Sequence, residues 1–195
     1  MLSKMKMGIL SLFFAVSLFA QNFVLENQNQ LITKTTDFME ILSSEVYEKT
    51  GISLYVVALE DLDTMNLEEK EQSYLNLVKS PYVLLFFSKK EKKINILTSP
   101  QMEEVFDKKA VYWEYIVPLI PKSDDELTPQ NISAFLLNGY VDITDRIADK
   151  YHITLEHSFP KQNEGVKTAT RAILYVMLSV LLILFAFTYL RRKSE

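Results

Sequence analysis

Residues 52 to 59 read Ile-Ser-Leu-Tyr-Val-Val-Ala-Leu, and residues 82 to 87 read Tyr-Val-Leu-Leu-Phe-Phe. Both stretches are short, rich in β-branched and aromatic side chains and almost free of polar residues. Such a composition is typical of strands that are buried on both faces of a sheet. A helix is predicted over residues 31 to 50, because apolar side chains recur there at helical spacing and Gly51 follows in a position that favours a helix stop.

The rest of the middle of the chain adds helices and one weaker strand. Helices are predicted over residues 67 to 79 and 100 to 120, the second with Trp113 on its apolar face, and a strand is predicted over 94 to 97. Thr128, with a proline after it, starts a last helix that runs to about residue 151. The order α-β-α-β-β-α-α predicts an α/β fold, a small mixed β-sheet flanked by helices on both faces.

The N-terminus has the features of a secretory signal peptide over residues 1 to 20. Lys4 and Lys6 precede an apolar run from residue 7 to residue 20, which is about the length of a signal-peptide core and too short to span a bilayer. Export of the chain is therefore predicted. The alternative is that the segment is not cleaved and stays in the membrane as an anchor.

Near the C-terminus, residues 172 to 190 form a run of 19 without a charge, which is long enough to cross a hydrocarbon core of about 30 Å. Residues 156 to 171 are predicted to link this transmembrane helix to the globular domain at 21 to 155. Residues 191 to 195 are then a cytoplasmic tail. Basic and aromatic side chains that suit the two membrane interfaces are Arg171, Tyr175, Tyr189, Arg191, Arg192 and Lys193.

These two ends predict a single-pass protein of the bacterial inner membrane with its domain in the periplasm. The outer surface of a single-membrane cell would fit the same pattern. The chain has a net charge of −4 and no cysteine, so disulfides and thiolate metal sites are excluded and no nucleic-acid footprint is expected.

Three carboxylates follow the first buried strand directly. Glu60, Asp61 and Asp63 lie where the strand ends, the place at which ligands bind in open α/β sheets. Oxygen ligands suit hard cations, so these residues are candidates for binding calcium or magnesium. The alternative is an ordinary acidic loop that opens the next helix.

Other polar groupings favour structural interpretations. Asp142, Asp145 and Asp149 share one face of the last helix at spacings of three and four, which indicates a solvated face. His152 and His157 are interpreted as surface or linker residues, since two histidines without a carboxylate motif are weak evidence for a metal.

A lysine-rich stretch and a group of aromatic residues are the remaining candidates for contact with lipid or with a partner. The lysine-rich stretch at 88 to 93 predicts a solvated hairpin turn, with contact to anionic lipid as the alternative. Tyr112, Trp113 and Tyr115 are interpreted as packing residues first and as a partner surface second.

The order of these elements resembles the TPM-domain family over residues 31 to 151. The similarity rests on the first strand after Gly51, the second strand at 82 to 87, the segment Lys-Ile-Asn-Ile-Leu-Thr at 93 to 98 and the closing helix with Gly139. The resemblance implies a sheet flanked by helices in an exported domain followed by a membrane segment. Some members are acid phosphatases, some bind divalent cations, and plant relatives support repair of a photosynthetic membrane complex.

The sequence departs from the family pattern at two turns. Ser80 and Pro81 stand where the family has Asp or Asn with Gly, and the glycine-bearing turn after the third strand is absent. Met102 and Glu103 are the residues that echo that turn, so the resemblance adds Glu103 to the metal candidates and no catalytic residue.

A non-enzymatic, membrane-tethered accessory domain that assists the assembly, stability or repair of a membrane protein complex is therefore expected. The alternative is a divalent-cation-dependent phosphatase that uses Asp61, Asp63 or Glu103. A ligand-sensing domain is a third option, although a five-residue tail leaves little inside the cell to carry a signal.

Overall fold

The computed structural model describes residues 21–158 and 175–179. Its strands and longer helices follow one another in the order β1 (Val24–Asn27), α1 (Thr33–Thr50), β2 (Ser53–Leu59), α2 (Leu67–Leu75), β3 (Tyr82–Ser88), β4 (Lys93–Thr98), α3 (Lys108–Ala110) and α4 (Pro129–Tyr151). The segments between β4 and α4 include 3₁₀ turns at Pro100–Met102, Val117–Leu119 and Asp124–Glu126, and a π-helix at Val111–Ile116.

Several predictions concern residues outside this part of the chain. The signal peptide at 1 to 20, most of the linker, the tail and all of the transmembrane segment except 175–179 lie outside the described residues. Residues 175–179 are helical, and Tyr175 is exposed. Within the described part of the chain, no helix combines the length and apolar character needed to cross a membrane.

The sheet has four strands in the order β1-β2-β3-β4. The first three are parallel, and β4 runs antiparallel to β3, which confirms the predicted α/β fold with a mixed sheet. The strand β1 was not predicted. It has four residues and an irregular register between Val24 and Glu26, so its sequence carries neither the length nor the alternation that marks a strand.

Each face of the sheet is covered by a separate hydrophobic cluster. Alternate side chains of β2 point to opposite faces, so Leu54 and Val56 pack with α1 and α4, while Tyr55 and Val57 pack with Tyr74 of α2. All seven residues of β2 are buried. The near-continuous apolar run of this strand therefore has the double-sided burial that its sequence predicts.

The two crossover connections differ in hand. Strands β1, β2 and β3 follow each other across the sheet in chain order, yet α1 lies on one face and α2 on the other. Two such connections that step in the same direction on opposite faces must have opposite hands. One of them is thus an exception to the right-handed rule for parallel strands.

The predicted helix boundaries hold at α1 and α4. Gly51 ends α1 in the left-handed conformation, with a φ of 74°, and donates its N–H to the carbonyl of Tyr47. Thr128 caps α4 by accepting a hydrogen bond from the N–H of Asn131. The helix predicted over 67 to 79 is shorter than expected: it ends at Leu75, and Leu77 is 69% exposed.

The long helix predicted over residues 100 to 120 is wrong. The segment breaks into turns, and its longest piece is the π-helix at Val111–Ile116. The hydrogen bonds of a π-helix join residues five apart, so each turn is wider than an α-helical turn. Val111 and Ile116 are fully buried in this segment, and Trp113 points outward. Trp113 is 63% exposed and is not part of the core predicted for it.

The π-helix lies against α4 at Gly139. A Cβ atom built at Gly139 would come within 2.4 Å of Cγ1 and 2.6 Å of Cδ1 of Ile116, which is fully buried. Any larger residue at this position requires the Ile116 side chain to shift from its packed position. The small residue therefore lets the two segments approach closely enough to bury Ile116.

We expect Gly139→Ala to lower the free energy of unfolding by about 1–3 kcal/mol, since the added methyl group overpacks a filled site. Urea unfolding of the full chain in detergent micelles, followed by fluorescence of the single tryptophan, measures the change. Gln130→Ala, on an exposed position of the same helix, is the control. Unchanged or increased stability of Gly139→Ala would show that Ile116 moves aside at no cost.

Candidate functional site

The predicted metal ligands Glu60, Asp61 and Asp63 lie in the loop after β2, at the end of the sheet where β3 also ends. Each of the three carboxylates faces a different lysine. Lys89 lies 3.3 Å from Glu60, Lys90 lies 3.6 Å from Asp61, and Lys70 lies 2.7 Å from Asp63, measured between the charged atoms.

The three lysines come from two different segments, helix α2 and the turn after β3. Lys89 and Lys90 belong to the turn after β3, which the sequence predicts to be a solvated loop. The backbone N–H of Asp63 donates to the carboxylate of Asp61 at 2.9 Å, and this bond, together with Lys90, lowers the pKa of Asp61 despite partial burial. The loop is thus held as a set of ion pairs.

Glu103 does not join this group. It follows the 3₁₀ turn after β4, and because β4 is antiparallel to β3, its end at Thr98 pairs with Val83 at the start of β3. Glu103 therefore lies at the opposite end of the sheet from Glu60. Within residues 21–158 and 175–179, no three histidine or carboxylate side chains come together in an arrangement that could hold a metal ion.

The sequence predicts that the aspartates of α4 lie on a solvated face, and this prediction is wrong for Asp142. It is buried, and its carboxylate accepts a hydrogen bond from Nε of Arg146 at 2.6 Å. Burial raises the pKa of Asp142, while the bonds from Arg146 and Tyr115 oppose the change. The guanidinium of Arg146 also lies over the Tyr115 ring, 5.6 Å from its centre, so this group ties α4 to the π-helix.

A second carboxylate, Glu45, holds the chain where it leaves the domain. Its oxygens accept hydrogen bonds from Nζ of Lys49 at 2.6 Å, from the N–H of Glu156 at 2.5 Å and from the N–H of His157 at 3.0 Å. The Nδ1 atom of His157 lies 2.9 Å from the same carboxylate, and Ser158 donates to Asp145. We call Glu45, Lys49, Glu156 and His157 the C-terminal clasp.

The clasp keeps Glu45 ionised. Burial of the side chain opposes ionisation, but the hydrogen bonds from Lys49, Glu156 and His157 outweigh it and lower the pKa from 4.5 to about 2. The sequence holds a signal for this residue, since Glu45 lies between Leu42 and Val46 on the apolar face of α1. A carboxylate in such a position needs partners, and those partners are 111 and 112 residues further along the chain.

A groove lies on the outer side of β4, between this strand and the π-helix. Its volume is about 420 Å³, and its walls are formed by Lys92, Lys93, Ile94, Asn95, Ile96, Lys108, Lys109, Tyr112 and Trp113. Four lysines surround apolar and aromatic side chains in this groove. Trp113 packs edge-on against Tyr112, with 5.1 Å between ring centres, and keeps most of its surface in solvent. The sequence interpretation of Trp113 as a packing residue is corrected here, because the π-helix turns it outward.

Comparison with known proteins supports the fold. No model of a protein family matches the chain, and no curated protein sequence matches it. The N-terminal domain of a protein from P. gingivalis, solved by NMR, has the same fold with a TM-score of 0.55 and 12% identity, over 71% of this chain and 89% of that domain. The N-terminal domain of a Corynebacterium glutamicum protein has a TM-score of 0.47 and 12% identity, over 74% and 87%.

We expect Glu45→Gln to release the C-terminal clasp, since an amide cannot accept hydrogen bonds on both of its terminal atoms and attracts Lys49 less. Hydrogen exchange of the Glu156 and His157 amides in the full chain should become about tenfold faster or more. The control is Glu48→Gln, at an exposed position one residue before Lys49. Unchanged exchange at both amides in the Glu45 variant would show that the clasp does not hold the segment.

The stability of the C-terminal clasp should depend on pH in the acid range. The pKa of Glu45 is lower in the folded protein than its ordinary value of 4.5, so its stabilising contribution is complete above that value and is lost as the pH falls toward about 2. Protection of the Glu156 and His157 amides should decrease over this interval in the wild type and show no such step in Glu45→Gln. A step centred above pH 5 would assign the effect to another group.

Proposed function

We propose that this chain is a membrane-tethered, extracytoplasmic, TPM-like accessory domain that binds a membrane protein complex and assists its assembly, stability or repair. It acts by binding rather than by catalysis. The observation that carries the proposal is the exposed Trp113 beside the groove at β4. The carboxylates of the acidic loop, in contrast, are each paired with a lysine of the same domain.

The tether is supported by the sequence. The uncharged run at 172 to 190 has the length of a membrane span and is followed by Arg191, Arg192 and Lys193, while residues 1 to 20 have the order of a signal peptide. Export of the domain then leaves it on the periplasmic side. A domain held at the membrane surface meets membrane proteins at a high effective concentration, so modest affinity is sufficient for it to act.

The TPM-like assignment is supported by the order of elements and by the fold shared with the P. gingivalis domain. The likeness is one of fold, and it carries no activity. Binding is supported by the surface itself: an exposed tryptophan next to a tyrosine supplies a large, rigid contact area, and these residue types dominate binding energy at protein interfaces.

The proposal is tested by purifying the tagged full chain from its own membrane in mild detergent. We expect a defined set of membrane proteins to accompany it in constant proportion. Trp113→Ala should reduce their recovery about tenfold or more, since loss of such an anchor costs about 2 kcal/mol or more. Leu77→Ala, which removes another exposed apolar side chain just after α2, the helix on the other face of the sheet, should leave recovery unchanged.

The phosphatase alternative gives a different result. A chromogenic phosphate ester is incubated with the purified chain, with and without calcium, magnesium or manganese. Turnover that requires a cation and is lost in Asp61→Asn or Glu103→Ala would establish the enzyme and overturn the proposal. Recovery of the chain alone, from every detergent tested, would also count against an accessory role.

A further inference from the structure

The strand β4 is a free edge of the sheet. It pairs with β3 on one side, and within the described residues no strand pairs with its other side. The opposite edge of the sheet is treated differently. At β1, the carboxylate of Glu40 accepts hydrogen bonds from the N–H groups of Phe23 and Val24, at 2.7 to 3.1 Å, so that edge is short and partly capped. The edge of β4 is six residues long.

The ladder between β3 and β4 shows which backbone groups face outward. The N–H of Ser99 donates to the carbonyl of Tyr82 at 3.0 Å, which fixes the phase of the antiparallel pattern. Because hydrogen-bonded and non-hydrogen-bonded pairs alternate, the N–H and C=O groups of Ile94 and Ile96 point away from β3 and into the groove. Among the described residues, no backbone group forms a hydrogen bond with them on that side.

The groove is strongly basic for a chain with a net charge of −4. Of its four lysines, Lys92 pairs with Asp124 at 2.6 Å, and Nζ of Lys108 lies 3.2 Å from the hydroxyl of Thr98. Lys93 and Lys109 are exposed, and in the described part of the chain neither forms an ion pair. The positive charge that remains is therefore available to a ligand.

We propose that this groove binds an extended, acidic segment of a partner polypeptide, which pairs with β4 as a fifth strand. This inference rests on the proposed binding function and specifies the chemistry of the segment that is bound. The outward N–H and C=O groups of Ile94 and Ile96 would form hydrogen bonds with the backbone of the segment. Lys93 and Lys109 would form ion pairs with its carboxylates, and Trp113 would pack on one of its apolar side chains.

Charge argues against the other occupants. A second copy of this chain would offer its own β4, which carries one lysine and no carboxylate, so it could not neutralise Lys93 and Lys109. The chain's own segments beyond the described residues are unsuitable as well. Residues 1 to 20 carry Lys4 and Lys6 and no acid, while residues 159 to 174 and residues 180 to 195 each hold three basic residues and one glutamate. An anionic lipid headgroup would satisfy the lysines, but it has no backbone to pair with β4.

The test uses the full chain in detergent micelles and a phage library of random heptapeptides. Peptides that are selected should be rich in Asp and Glu. Binding of the selected peptide should slow hydrogen exchange of the Ile94 and Ile96 amides. The double variant Lys93→Glu with Lys109→Glu should bind this peptide about tenfold more weakly or worse. The matched control is Lys34→Glu with Lys79→Glu, which makes the same change of charge at exposed positions elsewhere.

Circular dichroism establishes that the variants are folded. An enriched sequence without acidic residues, or an acidic one that leaves exchange at Ile94 and Ile96 unchanged, would overturn the proposal. Binding to phosphatidylglycerol vesicles that depends on Lys93 and Lys109, with no peptide enriched, would assign the groove to lipid instead. If the membrane complex is still recovered while the library yields nothing, the inference about β4 fails and the accessory function stands.

Discussion

The parallel pairing of β2 with β3 is the constraint on which the rest of the structure depends. The two strands are paired over seven residues, and nearly all of their side chains are buried. A sheet of this kind exposes apolar surface on two faces, and both must be covered before it is stable in water. Helices α1 and α4 cover one face and α2 covers the other, which explains why so small a domain carries helices on both sides.

The same pairing arranges the charges at one end of the sheet. Parallel neighbours end at the same edge, so the acidic loop after β2 and the lysine-rich turn after β3 are brought together. Each group resembles a binding site when it is considered alone: three carboxylates suggest a cation, and a cluster of lysines suggests an anion. Placed side by side, the carboxylates and lysines pair with one another. The groove with its lysines and exposed tryptophan lies elsewhere, at the edge strand β4.

The π-helix explains why that surface exists. An α-helix through residues 111 to 116 would give a repeat of 3.6 residues and bring Trp113 toward the core, as the apolar pattern predicts. The wider turn of the π-helix places Val111 and Ile116 inward, and Gly139 leaves the space that Ile116 fills. Short π-helical segments are frequent at functional sites. Here the side chain that is turned outward is the one tryptophan of the chain.

Local chemistry determined much of this protein from the sequence alone: the strands β2, β3 and β4, the helices α1 and α4 with Gly51 and Thr128 at their ends, and the α/β class. These follow from periodicity and from caps, which involve residues a few positions apart. The strand β1, the break in the helix at 100 to 120, the burial of Asp142 and the partners of Glu45 were decided by the tertiary structure. Each depends on a residue far away in the chain, such as Val56 for Val24, Gly139 for Ile116 and His157 for Glu45. A pattern within one segment cannot indicate which distant group will neutralise a charge or leave room for a side chain, because that is determined only when the segments pack against each other.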